Sequence, residues 1–248
     1  RLWRIAPDRS EAPFLLVDRS FEDKYQDEGL PLMVLGEFGR RVLQFAPDGH
    51  SIYHSIYLSG RGASPEGVYP FLDRMTLATG TKERLWHCQD PYFETILAVL
   101  DADAQSFITR QQSKTQPPNY LLYRDRQVTL LTDYADPAPQ FAGIQKELVQ
   151  YQRSDGVSLS ATLYLPAGYD VQRDGALPIV FWVYPAEFKS RENAGQITTS
   201  DHTFSRPSRA SVLFLLTQGY AVLNNPTLPI IGEGDAEPND TYIEQLIA

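Results

Sequence analysis

The sequence has 248 residues, which is long enough for one large domain or two modest ones. Hydrophobic residues make up 42% and charged residues 21%, a composition typical of folded proteins and not of disordered chains. The net charge of −9 argues against a nucleic-acid partner, which would require a basic face. No apolar run approaches the ~18 residues of a membrane-spanning helix. A single cysteine, Cys88, excludes an internal disulfide and a thiolate metal cage, but does not fix the compartment.

The first part of the chain, residues 1–140, is predicted to consist of short strands. Apolar runs flank a polar turn three times, at 2–5 with 14–17, at 72–77 with 83–86, and at 120–123 with 127–131. An acidic turn followed by a serine and a hydrophobic pair occurs at 48–53 and again at 103–108. Repeats roughly 50 to 70 residues apart favour about three blades of a β-propeller with long loops, and a β-sandwich is the alternative.

The pattern of predicted elements changes after the Pro-rich segment 136–139, and residues 141–248 are predicted to begin an α/β domain. Two strand-like stretches, Glu147–Arg153 and Val157–Leu165, flank an Asp-Gly pair, the signature of a β-hairpin. The run Ile179–Val183 does not alternate, which predicts a strand covered on both faces, as in parallel sheets.

A crossover is predicted after that strand. A helix is expected from Pro207 to a stop at Gly219, followed by a strand at 220–223, which together make a parallel βαβ unit. A second helix is expected to start near Pro238. Because ligands of open α/β sheets lie beyond the carboxyl ends of the strands, Tyr184 stands where chemistry is expected.

Most candidate sites have structural explanations. His50 and His54 have the spacing of a helical zinc pair, but a strand would hold them ~13 Å apart. An acidic loop at 233–240 lacks the calcium-binding pattern, so no metal or cofactor is predicted. The serine elbow G-x-S-x-G of α/β-hydrolases is absent, and Gly156–Ser160 comes nearest to it without matching.

Three segments carry a resemblance to a known family: YQRSDGVSLSATLYLPAGYD, FWVYPAEFKSRENAGQ and PTLPIIGEGDAEPNDTYIEQL. They resemble the prolyl oligopeptidase family of serine peptidases, and within it the glutamyl endopeptidase group of chloroplasts and bacteria. YLSGRGASPEGVYPFLDR and PPNYLLYRD resemble that group's propeller. The resemblance implies a propeller cap (1–140) and an α/β-hydrolase domain (141–248), with a peptide substrate cleaved after glutamate by a Ser-Asp-His triad.

The resemblance also assigns a role to Tyr184, whereas Lys189 and Arg191 are candidates because of their charge and their position after the Tyr184 loop. Tyr184 aligns with a tyrosine whose hydroxyl helps to form the oxyanion hole, although Tyr184-Pro185-Ala186-Glu187 departs from the wider family's Tyr-Gly-Gly-Pro. Lys189 and Arg191 carry the charge needed for a substrate glutamate. All triad members are expected beyond Ala248, so the chain is expected to be an inactive fragment. An acyl-peptide hydrolase or carboxylesterase, and a catalytically inactive binding module, are the alternatives.

Overall fold

A computed structural model describes residues 1–46 and 54–248, which fall into two compact units. Unit 1 consists of Arg1–Gly62, Tyr69–Gln111 and Pro118–Asp133. Unit 2 consists of Ala63–Val68, Gln112–Pro117 and Tyr134–Ala248. Strands predominate over helices in the described residues, as the sequence predicts.

Fifteen strands lie in the described residues before Asp133, and those of unit 1 form antiparallel sheets. In chain order they are β1 (Leu2–Arg4), β2 (Phe14–Val17), β3 (Leu30–Pro31), β4 (Met33–Leu35), β5 (Arg41–Leu43), β6 (Phe45–Ala46), β7 (Ser55–Gly60), β8 (Ala63–Ser64), β9 (Gly67–Val68), β10 (Phe71–Thr76), β11 (Lys82–His87), β12 (Phe93–Val99), β13 (Ser106–Gln112), β14 (Asn119–Arg124) and β15 (Gln127–Leu130). The short hairpin β8–β9 belongs to unit 2.

The sheets of unit 1 confirm the strand-turn-strand predictions. β1 pairs with β2, β10 with β11, and β14 with β15, all antiparallel. One sheet runs β12-β13-β14-β15 in chain order, and a second has the order β11-β10-β7-β3 with β6 also paired to β7. A core of buried side chains that includes Tyr57, Leu72 and Phe107 lies against these strands. The predicted repeat at 48–53, which includes His50, lies outside the described residues.

Unit 2 contains the remaining elements. They are a 3₁₀ helix (Pro139–Phe141), β16 (Gln145–Gln152), β17 (Ser158–Leu165), α1 (Val171–Asp174), β18 (Ile179–Trp182), β19 (Ala186–Phe188), α2 (Arg191–Ala194), a 3₁₀ helix (Val212–Gln218), β20 (Ala221–Asn224), β21 (Pro229–Ile231), a 3₁₀ helix (Pro238–Thr241) and α3 (Tyr242–Ile247). No helix in the described part of the chain is long and apolar enough to cross a membrane.

The main sheet of unit 2 confirms the predicted hairpin and the predicted parallel pair. Its order is β16-β17-β20-β18, with β16 and β17 antiparallel and β18 parallel to β20. The turn between β16 and β17 contains Gly156 at φ +84°, a backbone conformation that glycine adopts without strain. The connection from β18 to β20 passes through β19, α2 and the 3₁₀ helix Val212–Gln218, which packs Leu213 and Leu216 against Val222.

The prediction that the strand at 179–183 is covered on both faces is wrong for the described residues. β18 is the edge strand of its sheet, and Phe181 and Trp182 are 60% and 57% exposed. The buried strand is its neighbour β20, where Val222 is fully buried. An unbroken apolar run shows what a strand is suited to bury, but not whether another element lies over it.

The predicted helix at 207–219 is shorter than expected. It begins after Ser211, whose hydroxyl accepts a hydrogen bond from the amide of Leu213 at 3.3 Å, and it is a 3₁₀ helix. A serine cap outweighs the preference of Pro207 for a first helical turn. The helix stops at Gly219, which has left-handed backbone angles as predicted. The helix predicted near Pro238 is present as a 3₁₀ turn that continues into α3.

Candidate functional site

The loop between β18 and β19 follows the carboxyl end of a parallel strand. β18 and β20 run in the same direction, with Ile179 opposite Ala221 and Trp182 opposite Asn224, so both strands end at one edge of the sheet. Tyr184 lies just past this end. Such edges are where open α/β sheets place ligands, and the described structure therefore puts Tyr184 where the sequence predicts it.

Hydrogen bonds hold the Tyr184 loop at both ends. The amide of Asn225 donates to the carbonyl of Trp182 at 2.9 Å, and the amide of Ala186 donates to the carbonyl of Leu228 at 3.1 Å. The side chain of Tyr184 is 88% exposed between these two fixed points. The backbone is thus anchored, while the phenol is accessible from solvent.

Lys189 follows β19 and is engaged with the acidic loop. Its Nζ donates to the carbonyl of Ala236 at 2.8 Å and lies 3.4 Å from Oε1 of Glu237. Glu237 is itself 71% exposed and, with Asp240, closes a capping box at the start of the 3₁₀ helix Pro238–Thr241. These roles account for two of the acidic residues at 233–240 without a metal ion.

Arg191 begins α2 and faces the tip of the β16–β17 hairpin. Its Nη1 donates to the carbonyl of Asp155 at 3.0 Å and lies 3.5 Å from the carboxylate of the same residue. The pKa of Asp155 falls to about 2, chiefly because Arg153 donates hydrogen bonds to its carboxylate. Both cations predicted for substrate recognition therefore have carboxylate neighbours within the chain.

A buried arginine that the sequence analysis does not single out organises the same region. Arg153 is 7% exposed and makes two hydrogen bonds of 2.9 Å to Asp155. It also donates to the carbonyl of Pro229 at 2.7 Å and contacts Gln245 on α3. The amide side chain of Gln245 in turn bonds both the amide and the carbonyl of Ile231, at 2.8 and 2.9 Å. Arg153 thus ties the hairpin to β21 and α3.

The histidines in the described residues have local contacts. Nδ1 of His87 lies 2.9 Å from the carbonyl of Cys88, and Nε2 of His202 lies 3.7 Å from the carboxylate of Asp201. Within residues 1–46 and 54–248, no three His, Cys, Asp or Glu side chains group as a metal ion would require. The geometry at the Tyr184 loop is therefore the best-supported candidate site in this part of the chain.

Comparison with known proteins gives two close matches by sequence. The chain is 42% identical over 260 aligned residues to a protein named "Probable glutamyl endopeptidase, chloroplastic" from Arabidopsis thaliana, and equally to one of the same name from Oryza sativa subsp. japonica. Each alignment covers 100% of this chain, but 27% and 28% of the relatives. The chain thus spans little more than a quarter of the length of the curated relatives that it matches. No family model matches the sequence.

Solved structures are more distant. The isopeptidase AtxE2 with astexin3-dC4 bound has 20% identity and a TM-score of 0.44, covering 79% of this chain and 28% of its own. A Bacteroides ovatus protein assigned as a dipeptidyl aminopeptidase IV has 14% identity and a TM-score of 0.48, covering 76% of this chain and 25% of its own. The matches confirm the resemblance found from the motifs: over its whole length, this chain is similar to about a quarter of each of two proteins named as glutamyl endopeptidases.

Proposed function

We propose that this chain is part of a serine peptidase of the prolyl oligopeptidase family that cleaves peptide bonds after glutamate. The observation that carries the proposal is the 42% identity, over the whole chain, to two proteins named as glutamyl endopeptidases. On this proposal residues 1–140 supply the last blades of a β-propeller. Residues 141–248 supply the first half of an α/β-hydrolase domain.

The sheets of the two units support this division. The sheet β12-β13-β14-β15 is a four-stranded antiparallel meander in chain order, the form of one propeller blade. In unit 2, an antiparallel hairpin is followed by a parallel pair, β18 with β20. The segment that connects β18 to β20 is long enough for the crossover that a parallel pair requires.

The nucleophile, the acid and the histidine of the triad are proposed to lie in sequence that follows this chain in the whole protein. The 248 residues contain no G-x-S-x-G elbow, and the chain matches only 27% of the length of its relatives. The mechanism proposed for the whole protein is attack of the serine on the peptide carbonyl, with histidine as the base and aspartate orienting it.

Tyr184 is proposed to stabilise the oxyanion in that mechanism. Its hydroxyl can donate one hydrogen bond to the carbonyl oxygen, which becomes negative only as the tetrahedral intermediate forms. Such a donor lowers the barrier best when it does not reorganise, and the hydrogen bonds on either side of the Tyr184 loop provide a fixed backbone. The 88% exposure of the side chain leaves the hydroxyl accessible to a peptide.

Lys189 and Arg191 remain proposed contacts for the substrate glutamate. On binding the substrate, Lys189 would exchange the carboxylate of Glu237 for the carboxylate of the substrate glutamate. Arg191 would likewise exchange the carboxylate of Asp155. The exchange costs little at Lys189, because ion pairs between exposed side chains contribute about 0–1 kcal/mol. It costs more at Arg191, because the guanidinium would also give up the hydrogen bond of 3.0 Å that it donates to the carbonyl of Asp155.

Hydrolysis assays of the full-length protein test the proposal and its two rivals. Matched peptides that differ only in Glu or Gln before the cleaved bond are compared with short acyl esters and with N-acylated dipeptides. We expect a clear excess of kcat/KM for the Glu peptide. Preference for the esters or the acylated dipeptides would indicate a carboxylesterase or an acyl-peptide hydrolase, and no turnover of any substrate would indicate a binding module.

A further inference from the structure

The segment that follows β20 is hydrogen-bonded to both ends of the Tyr184 loop. At one end the amide of Asn225 donates to the carbonyl that precedes the loop, at 2.9 Å. At the other end the carbonyl of Leu228 accepts from the amide of Ala186, at 3.1 Å. We call residues 225–228 the anchor segment. The position of the Tyr184 backbone therefore depends on where the anchor segment lies.

Regular sheet pairing ends just before the anchor segment. Asn224, the last residue of β20, is paired with Thr162 of β17. Asn225 then has φ +48°, a left-handed conformation outside the extended range of a strand. The ladder between β17 and β20 therefore does not extend along the anchor segment, which is held by other contacts.

Thr227, in the middle of the anchor segment, fastens it to β17. Its amide donates to the carbonyl of Ser160 at 2.7 Å. Its hydroxyl accepts from the amide of Ser160 at 2.7 Å and lies 3.2 Å from the carbonyl oxygen of the same residue. Ser160 is 5% exposed, so water has little access to its amide and does not readily replace the hydroxyl.

We propose that Thr227 is a positioning residue for Tyr184, and this inference rests on the proposed function. The Thr227 hydroxyl is bonded to the backbone of β17, so it acts through the anchor segment and not on the substrate. A donor to an oxyanion is effective only where it meets the oxygen as charge develops, and a shift of its backbone weakens it. Thr227 prevents that shift by fixing the segment that holds both ends of the loop.

Amide hydrogen exchange in the full-length protein tests the anchoring without a substrate. Thr227→Val keeps the branched shape and the hydrogen bond of the amide, and removes only the hydroxyl. We expect exchange at the amides of Asn225 and Ala186 to accelerate about tenfold or more, because the buried amide of Ser160 loses its acceptor.

Three further variants serve as controls. Thr227→Ser keeps the hydroxyl and should stay close to the parent. Thr227→Cys differs from it by one atom and has a weak donor and acceptor, so this pair gives the same comparison if the valine variant does not fold. Thr217→Val is the matched control, because the Thr217 hydroxyl donates to the carbonyl of Phe214, at 2.8 Å, in the 3₁₀ helix Val212–Gln218. It should leave exchange at the two ends of the Tyr184 loop unchanged.

Turnover tests whether the anchoring serves Tyr184. On a glutamyl peptide, Thr227→Val should lower kcat about tenfold, less than the ~10²-fold expected when the donor itself is removed, with little change in KM. In a protein that carries Tyr184→Phe no donor is left to misplace, so adding Thr227→Val should have little further effect on kcat. A purely structural role would lower kcat equally in both backgrounds.

Unchanged exchange at both amides in Thr227→Val would overturn the proposal. Equal losses of kcat with and without the Tyr184 hydroxyl would also overturn it, because Thr227 would then act on something else. If the full-length protein hydrolyses no peptide but Thr227→Val still accelerates exchange at both amides, the proposed function fails and the anchoring of the loop stands. If it cleaves after glutamate and Thr227→Val keeps full kcat, the proposed function stands and the positioning role fails.

Discussion

Replacement of Arg153 by methionine is a sharp test of how the Tyr184 region is held together. Methionine keeps an unbranched side chain of similar length but has no charge and no donors. The change removes the bidentate bond to Asp155 and the hydrogen bond to the buried carbonyl of Pro229. It also removes the contact with Gln245, so β21 and α3 lose this polar link to the hairpin.

The size of the effect follows from these contacts. Lowering the pKa of Asp155 from 3.8 to about 2 corresponds to about 2.4 kcal/mol at 1.36 kcal/mol per unit. Since a third of that side chain is exposed, solvent screening reduces this to about 1 kcal/mol. A buried carbonyl left without its donor, as at Pro229, costs about 1–3 kcal/mol more. We therefore expect local opening of β21 to become easier by about 2–4 kcal/mol.

Amide hydrogen exchange at Ile231 measures this opening. Ile231 lies in β21, and its amide donates a hydrogen bond to the side chain of Gln245 in α3. The expected acceleration at pH 7 is about 30- to 900-fold. Arg173→Met is the matched control, since Arg173 also pairs with a nearby carboxylate but is exposed and lies away from β21. An unchanged exchange rate in Arg153→Met would refute this account of the network.

The stability that Asp155 contributes should decrease as the pH is lowered. The folded-state pKa of Asp155 is depressed, so its contribution is present above pH 3.8 and is lost as the pH falls towards 2. The part of the difference between the parent protein and Arg153→Met that comes from Asp155 should therefore shrink over that interval. A difference that grew on acidification would contradict this assignment.

Two further predictions concern reactivity. Cys88 should react with a thiol reagent only as fast as the protein unfolds locally, because it is buried and burial raises the pKa of its thiol to about 11. Rapid labelling of Cys88 at pH 8 would contradict this prediction. The 248-residue chain by itself should not be labelled by a serine-directed fluorophosphonate, because it has no G-x-S-x-G elbow; stoichiometric labelling would show that it contains the nucleophile.

Local patterns in the sequence predicted several of the strand pairs. The hairpin β16–β17 is specified by alternating apolar residues around Asp155-Gly156, and the parallel pair by strand, connection and strand in close succession. The burial of β18 was not predictable in the same way. Phe181 and Trp182 suit a covered strand, but in the described structure β18 lies at the edge of its sheet. Burial depends on neighbours that the run itself does not encode.

Within the candidate site, the position of Tyr184 was predictable and the hydrogen-bond network of Arg153 was not. Tyr184 follows an apolar run that ends at a proline, a local signal. Arg153 appears only as a polar residue at a hairpin tip, and its partners Pro229 and Gln245 lie 76 and 92 residues further along the chain. A buried arginine beside Asp-Gly gives no periodic pattern. Only the fold shows that one side chain joins three elements.

The measurement that tests the central claim most directly is the turnover of the Tyr184→Phe variant of the full-length protein on a glutamyl peptide. The change keeps the ring and removes only the hydroxyl donor. Loss of one oxyanion donor is expected to lower kcat about 10²-fold or more, about 2.7–4 kcal/mol, with little change in KM because the bond forms in the transition state. A variant that keeps nearly full kcat would show that the hydroxyl of Tyr184 takes no part in catalysis.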